Sequence, residues 1–194
     1  MYNLLAITNR HLCYNNFLDQ IEKICKLQDN ISIVLREKDL PQDQYKTLAN
    51  KVLKICSQYN KDCILHTYYD IAKELQCDKI HVPLYILKDN PYLSKEFSIL
   101  GVSIHSVDEA KEAEALGATY ITAGHIFKTN CKKGIPGRGL NFLVQVINSV
   151  SIPVYGIGGI SQDNIKKVIN TGAYGACIMS GLMSIDNPKI FFNL

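Results

Sequence analysis

The chain has 194 residues, of which 47% are hydrophobic and 20% are charged, and its formal net charge is +3. A chain of this size can bury one sizeable core, so we expect a single domain over residues 1–194. The charge is too small, and the lysines too dispersed, to predict nucleic-acid binding, but it suits a small anionic ligand. No apolar run approaches the roughly 20 residues that a membrane-spanning helix needs.

The N-terminus and the cysteines both indicate a cytoplasmic protein. The chain opens on a strand-like run rather than on a charged leader with an apolar segment behind it, so no signal peptide is expected. Seven cysteines are irregularly spaced and form no C-x-x-C motif, which argues against both a disulfide framework and a zinc site. In a reducing cytosol such cysteines serve as small buried apolar side chains.

Short β-prone runs alternate with longer amphipathic segments along the whole chain. The predicted strands comprise residues 4–8, 31–35, 63–66, 79–82, 97–103, a run ending at 124, 153–157 and 174–178. Helical spacing follows most of these runs, but residues 83–96 are irregular and no helix is predicted there. Strands and helices that alternate in this way favour a closed (β/α)8 TIM barrel, with a doubly wound open sheet as the alternative.

A histidine follows the sixth predicted strand directly. The apolar run ends at Gly124, and His125 comes next. A buried parallel strand that ends in this way delivers a titratable side chain to the open end of a barrel. Imidazole titrates near neutrality and can both accept and return a proton, so His125 is the predicted catalytic residue. The alternative is a strand-end histidine that only bonds a loop carbonyl.

Glycines at the ends of the last two strands predict a phosphate site. Gly158 and Gly159 follow the seventh strand, and Ser180 and Gly181 follow the eighth. Backbone N–H groups at such turns, with the serine hydroxyl, can bind a phosphate group. The loops after strands seven and eight are the usual phosphate site of these barrels. Alternatively, the glycines only permit tight turns.

Three basic residues and one serine complete the expected substrate-binding set. Arg36 and Lys38 flank the end of the second strand, where they could face a carboxylate or steer an anion. Lys132 lies in the loop after His125 and could close over a ligand. Ser103 ends the fifth strand. Solvated surface roles are the alternatives for the basic residues.

Five motifs in order along nearly the full chain resemble the thiamin phosphate synthase superfamily. They are Leu35–Asp39, Gly101–Ser106, Gly124–Thr129, Gly156–Ile160 and Met179–Gly181. The resemblance implies a (β/α)8 barrel, typically dimeric, of one of two branches. The synthase joins a pyrimidine diphosphate to a thiazole phosphate with Mg²⁺, and the thiazole tautomerase, TenI, aromatises a thiazole phosphate precursor without metal.

Two departures from the synthase pattern concern the metal. The synthase usually has an Asn-Asp pair after the third strand, where this chain has His66 and Thr67. It also has a G-Q-x-D motif after the fourth strand, where this chain reads Pro83–Ile86. Mg²⁺ bridging a diphosphate needs carboxylate oxygens, which threonine and isoleucine do not supply. The resemblance therefore implies no metal site and no cofactor.

Gly-His in place of the synthase's usual Gly-Pro makes the tautomerase branch the leading interpretation. It implies a homodimeric, metal-independent isomerase in which His125 shifts a proton on a carboxylated thiazole phosphate. One alternative is a true synthase that recruits Asp39 or Asp70 to hold Mg²⁺. The other is a thiazole phosphate binding or regulatory protein without turnover. No nucleic-acid or membrane partner is expected in any of the three.

Overall fold

The computed structural model describes residues 3–27, 30–129 and 134–188, and within them eight parallel strands close into a barrel. Each strand pairs with its neighbour in the sequence, and the last pairs with the first. The strands are β1 (Asn3–Ile7), β2 (Ile31–Leu35), β3 (Cys63–His66), β4 (Lys79–Pro83), β5 (Ile99–Ile104), β6 (Tyr120–Gly124), β7 (Val154–Ile157) and β8 (Gly175–Ile178). This closure confirms the predicted (β/α)8 barrel, because an open doubly wound sheet would leave two unpaired edges.

Helices alternate with the strands and cover the outside of the barrel. They are α1 (Phe17–Cys25), α2 (Gln42–Gln58), α3 (Tyr69–Glu74), α4 (Leu84–Asp89), α5 (Leu93–Glu96), α6 (Val107–Ala115), α7 (Gly139–Ile147), α8 (Ile165–Ile169) and α9 (Ser180–Met183), with a short 3₁₀ helix at Arg10–Leu12. Ser106 caps α6 by accepting a hydrogen bond from the backbone N–H of Glu109, as its S-x-x-E motif predicts.

The expectation of no helix in residues 83–96 is wrong. Helices α4 and α5 both lie there, and they bury Leu84, Leu87 and Leu93. They have six and four residues, which is too short for an apolar stripe to repeat along the sequence. Asn90, Pro91 and Tyr92 separate them.

The apolar side chains form two layers. The larger one lies between the strands and the surrounding helices, and the smaller one fills the barrel interior with Leu5, Ile7, Val34, Ile64 and Cys177 as its buried apolar members, beside Tyr120. Strands buried on both faces are apolar at nearly every position, which is why they stand out in the sequence.

The described residues carry no disulfide bond: their six cysteines are all free. Five of these are buried, as expected for cysteine used as a small apolar side chain. None of the helices in the described ranges combines the length and apolarity that a membrane span requires.

Candidate functional site

The predicted site residues that fall within the described ranges all lie at one end of the barrel. Parallel strands in a closed barrel bring all their carboxyl ends to the same rim. Arg36 and Lys38 follow β2, Ser103 is near the end of β5, and His125 follows β6 directly. The glycines and the serine of the predicted phosphate site follow β7 and β8. Lys132, in contrast, lies outside the described residues.

A buried carboxylate holds the first two strand ends together. Glu37 accepts hydrogen bonds from the Thr8 hydroxyl at 2.7 Å and from the backbone N–H and guanidinium of Arg10, both at 3.1 Å. The Thr8 hydroxyl accepts in turn from the backbone N–H of Arg36 at 2.9 Å. No motif in the sequence indicates this cluster, which fixes the backbone on both sides of Glu37 and therefore positions Arg36 and Lys38.

Arg36 and Lys38 place positive charge beside the histidines of β3 and β4. Desolvation, followed by repulsion from Arg36, lowers the pKa of Lys38, although its side chain is exposed overall. Burial, followed by repulsion from Lys38 and Arg36, lowers the pKa of His81 to about 3. These influences indicate that the cations and the buried imidazoles share one side of the rim, which therefore favours an anion.

The end of β3 carries a hydroxyl where the synthase pattern has a carboxylate. The Thr67 hydroxyl lies 2.6 Å from His66 Nδ1, and the backbone N–H of Thr67 donates to the His81 carbonyl at 2.9 Å. Thr67 has a φ of 71°, a left-handed conformation that a β-branched residue rarely adopts. Burial, followed by repulsion from His81, lowers the pKa of His66 well below its usual value.

The carboxylates near this rim do not fit the magnesium ion that the synthase branch implies. Glu37 is satisfied by Thr8 and Arg10, and Asp39 is paired with Arg10 and His11. The other candidate, Asp70, is exposed in the first turn of the outer helix α3. Among the residues of the three described ranges, no group of three or more His, Cys, Asp or Glu side chains could hold a metal ion.

Ser103 belongs to a hydrogen-bonded network inside the barrel. Its hydroxyl lies 2.8 Å from His81 Nε2 and 3.4 Å from the Thr122 hydroxyl. The other ring nitrogen of His81, Nδ1, lies 2.9 Å from the hydroxyl of the buried Tyr120. No role is expected for His81, Tyr120 or Thr122 from the sequence, because their contacts join residues that are distant along the chain.

The predicted phosphate site forms from adjacent strand ends. Gly158 and Gly159 have φ values of 100° and 65°, which a side chain rarely adopts, so these positions require glycine. Ser180 and Gly181 open α9, where N–H groups have no partner within the helix. Since β7 and β8 are neighbours in the barrel, the two turns lie side by side.

His125 is buried and contacts the turn after β7. Its Nε2 donates to the Ile135 carbonyl at 3.3 Å, which is the loop-carbonyl bond considered as its alternative role. Its Nδ1 is buried without a hydrogen-bond partner among the described residues. A side chain at Gly158 would collide with the Cβ of His125, so the absence of one there permits this packing.

The fold is a (β/α)8 barrel, and cationic side chains lie at one side of its rim. The sequence matches the thiamine monophosphate synthase family over residues 4–182, and the chain therefore belongs to that family. It is 35% identical to a thiamine-phosphate synthase of Clostridium acetobutylicum over 100% of this chain and 94% of the relative. It is 38% identical to one of Caldivirga maquilingensis over 84% of this chain and 80% of the relative.

Solved structures agree with this assignment. A thiamine phosphate pyrophosphorylase of Pyrococcus furiosus superposes with a TM-score of 0.83 at 26% identity, covering 97% of this chain and 91% of that one. A 3-hexulose-6-phosphate synthase superposes with a TM-score of 0.74 at 20% identity, covering 98% of this chain and 96% of that one. At that identity, the second likeness reflects the fold alone.

The expected thiazole tautomerase activity is wrong. The relatives that span nearly the whole chain are named thiamine-phosphate synthase, and they favour the synthase alternative over the tautomerase. The tautomerase interpretation depends on a few rim residues that differ from the synthase pattern. The chain as a whole is nevertheless similar to synthases. The proton-shuttle role of His125 was tied to that activity and loses its basis with it.

Proposed function

We propose that this protein is a transferase of the thiamine-phosphate synthase type, which joins a pyrimidine diphosphate to a thiazole phosphate. The observation that carries this proposal is the 35% identity to a thiamine-phosphate synthase over the full chain. The proposed reaction forms a bond between the thiazole nitrogen and the pyrimidine's exocyclic carbon. The carbon–oxygen bond to the diphosphate breaks, and the leaving group takes the electron pair.

The rim supports binding of two anionic groups. Arg36 and Lys38 would bind the diphosphate and compensate the charge that develops as it leaves. The turns at Gly158–Gly159 and Ser180–Gly181 would hold the phosphate of the thiazole through backbone N–H groups. The two subsites follow different strands, so each substrate has its own anchor and the reacting atoms meet over the barrel mouth.

The charge compensation assigned to these residues involves no carboxylate-bound metal ion. Guanidinium and ammonium groups stabilise a leaving diphosphate by the same electrostatic means as a divalent cation, although their charges are spread over more atoms. Ser103 completes the substrate-binding set, as a hydroxyl at the mouth between the two anion subsites. We also propose that the protein is a cytoplasmic homodimer. Analytical ultracentrifugation of the purified protein tests the dimeric state.

The direct experiment incubates the purified protein with the hydroxymethylpyrimidine diphosphate and the hydroxyethylthiazole phosphate. Release of pyrophosphate and formation of thiamin phosphate are measured with either substrate omitted as a control. Parallel reactions contain Mg²⁺ or a chelator. We expect product only with both substrates. Tight binding of thiazole phosphate in calorimetry, with no product under any condition, would contradict the transferase and favour a non-catalytic binding protein.

A further inference from the structure

One row across three neighbouring strands of the barrel contains His81, Gly101 and Tyr120. His81 on β4 pairs in register with Gly101 on β5, and Gly101 pairs with Tyr120 on β6. A Cβ at Gly101 would lie 2.1 Å from the Tyr120 ring and 2.4 Å from His81 Nδ1. The missing side chain on the middle strand therefore lets the phenol and the imidazole meet.

The contact between Tyr120 and His81 has a defined direction. Tyr120 is only 6% exposed, and within the described ranges its hydroxyl has His81 Nδ1 as its one hydrogen-bond partner. A phenol that instead accepted from Nδ1–H would leave its own proton buried without an acceptor, which is costly. Tyr120 therefore donates to Nδ1.

The neutral imidazole then has its single proton on the other nitrogen. His81 is 3% exposed, and burial lowers its pKa to about 3, so it carries one ring proton at neutral pH. With Nδ1 accepting from Tyr120, that proton is on Nε2, which lies 2.8 Å from the Ser103 hydroxyl. His81 therefore donates to Ser103.

The Ser103 hydroxyl uses its acceptor sites inside the barrel and has only its proton left to offer at the mouth. It accepts from His81 Nε2–H, and the hydroxyl of the buried Thr122 donates to it at 3.4 Å. A hydroxyl has two acceptor sites and one proton, so both acceptor sites are occupied from inside the barrel. Ser103 is half-buried near the strand end, and its proton is free to point towards the mouth.

We propose that Tyr120 and His81 are positioning residues that make Ser103 an obligatory hydrogen-bond donor to the substrate. The matching substrate atom is an acceptor without a proton of its own, such as a heterocycle ring nitrogen or a phosphate oxygen. Only the identity of that substrate rests on the proposed function. The polarity of the network is a property of the folded chain by itself.

Nitrogen-15 NMR of the histidine side chains in the intact protein tests the polarity directly. The resonances of His81 are assigned by their disappearance in a His81→Gln variant. We expect the Nε2–H tautomer of His81 at neutral pH. The Nδ1–H tautomer, or a charged ring, would overturn the proposal whether or not the protein is a transferase.

Kinetics and ligand binding test the positioning role. Tyr120→Phe removes the donor and frees His81 to take its proton on Nδ1, so that Ser103 donates inwards. We expect kcat/KM, or the affinity for thiazole phosphate and pyrimidine diphosphate, to fall about three- to tenfold, as for loss of one neutral hydrogen bond. Tyr155→Phe removes a neighbouring hydroxyl in the barrel that does not contact His81, and it should change neither quantity.

A double-mutant comparison separates positioning from packing. Ser103→Ala should cause a loss similar to that of Tyr120→Phe, and adding Tyr120→Phe to the Ser103→Ala variant should cost little more. Independent, fully additive losses would overturn the proposal, as would equal effects of the Tyr120 and Tyr155 substitutions. If the Tyr120 variant fails to fold, the tautomer of the wild-type protein still decides the question.

Discussion

The hydroxyl of Thr8, just after β1, donates a 2.7 Å hydrogen bond to the carboxylate of Glu37, just after β2. Glu37 is only 2% exposed, and the guanidinium and backbone N–H of Arg10 supply its other partners. Since Glu37 lies between Arg36 and Lys38, this buried carboxylate holds the segment that carries both cations of the proposed diphosphate subsite.

Glu37→Gln should therefore destabilise the protein and weaken anion binding. Losing the charge from hydrogen bonds of this kind costs about 1.5–3 kcal/mol, which urea unfolding at neutral pH can measure. Glu112→Gln is the matched control, because Glu112 pairs with Lys88 on the surface and such pairs contribute about 0–1 kcal/mol. Equal losses in the two variants would show that the Glu37 cluster has no special structural role.

The barrel could be predicted from the sequence because its strands are buried on both faces. Residues 31–35 and 63–66 were predicted with the bounds that β2 and β3 have. Helices α4 and α5 could not be predicted in this way, because helices of one or two turns show no repeating apolar stripe and the residues near Asn90 and Pro91 are typical of a loop. The shortness of these helices and the loop-forming residues between them together limited the prediction.

The rim residues could be placed from their positions after strands, but their partners could not. Tyr120 and His81 are 39 positions apart, and their contact depends on the register of three strands. Thr8 and Glu37 are 29 positions apart and meet only because β1 and β2 are neighbours. The activity could not be predicted from the rim motifs for a related reason, because a few local differences from the synthase pattern say less about activity than similarity along the whole chain.

The buried histidines should make the protein acid-sensitive above the range where most carboxylates titrate. Burial lowers the pKa of both His66 and His81 below the usual 6.5. As pH falls below 6.5, the unfolded chain therefore binds protons that the folded one does not, and stability falls. Below pH 6.5, each histidine lowers the free energy of unfolding by about 1.4 kcal/mol for every unit that the pH falls. For His81 this effect ends near pH 3.

Urea unfolding between pH 6.5 and 4.5 measures this dependence. In the His81→Gln variant the slope of unfolding free energy against pH should be smaller than in the wild type by about 1.4 kcal/mol per unit. His11→Gln, at an exposed histidine paired with Asp39, is the comparison. A slope unchanged by His81→Gln would mean that this imidazole is protonated in the folded protein.

Removing the ammonium of Lys38 should weaken diphosphate binding. Hydrogen bonds to charged groups contribute about 1.5–3 kcal/mol, so Lys38→Met should raise the Kd for inorganic pyrophosphate roughly 10- to 100-fold in calorimetry. Lys51→Met removes an equal charge from the exposed face of α2 and should have little effect. A similar weakening in both variants would reduce the role of Lys38 to its part in the net charge.

A negative charge placed at the start of α9 should strongly weaken phosphate binding. Ser180→Asp brings a carboxylate to the proposed cradle, and like-charge repulsion should weaken binding of thiazole phosphate about 10- to 100-fold without unfolding the chain. Asn50→Asp makes the same change of charge at an exposed position on α2. Unchanged affinity in the Ser180 variant, with an intact thermal transition, would remove α9 from the site.

Thr67→Asp should introduce a magnesium response that we do not expect from the wild-type rim, where Glu37 and Asp39 are already paired with other side chains. Thr67 has a φ of 71°, which aspartate adopts more readily than a β-branched residue, so the substitution should not destabilise the fold. Proteins commonly hold Mg²⁺ by one or two carboxylates together with substrate phosphates. We therefore expect Mg²⁺ to raise the affinity of the Thr67→Asp variant for inorganic pyrophosphate.

Thr67→Asn is the matched control, because it has the same shape and backbone preference as the aspartate variant but no charge. Calorimetric titration of each protein with pyrophosphate, with Mg²⁺ and with a chelator, separates the effect of the carboxylate from that of the relieved backbone. An equal gain from Mg²⁺ in the wild type and the Thr67→Asn variant would contradict the prediction. It would mean that diphosphate and metal bind this barrel through other groups.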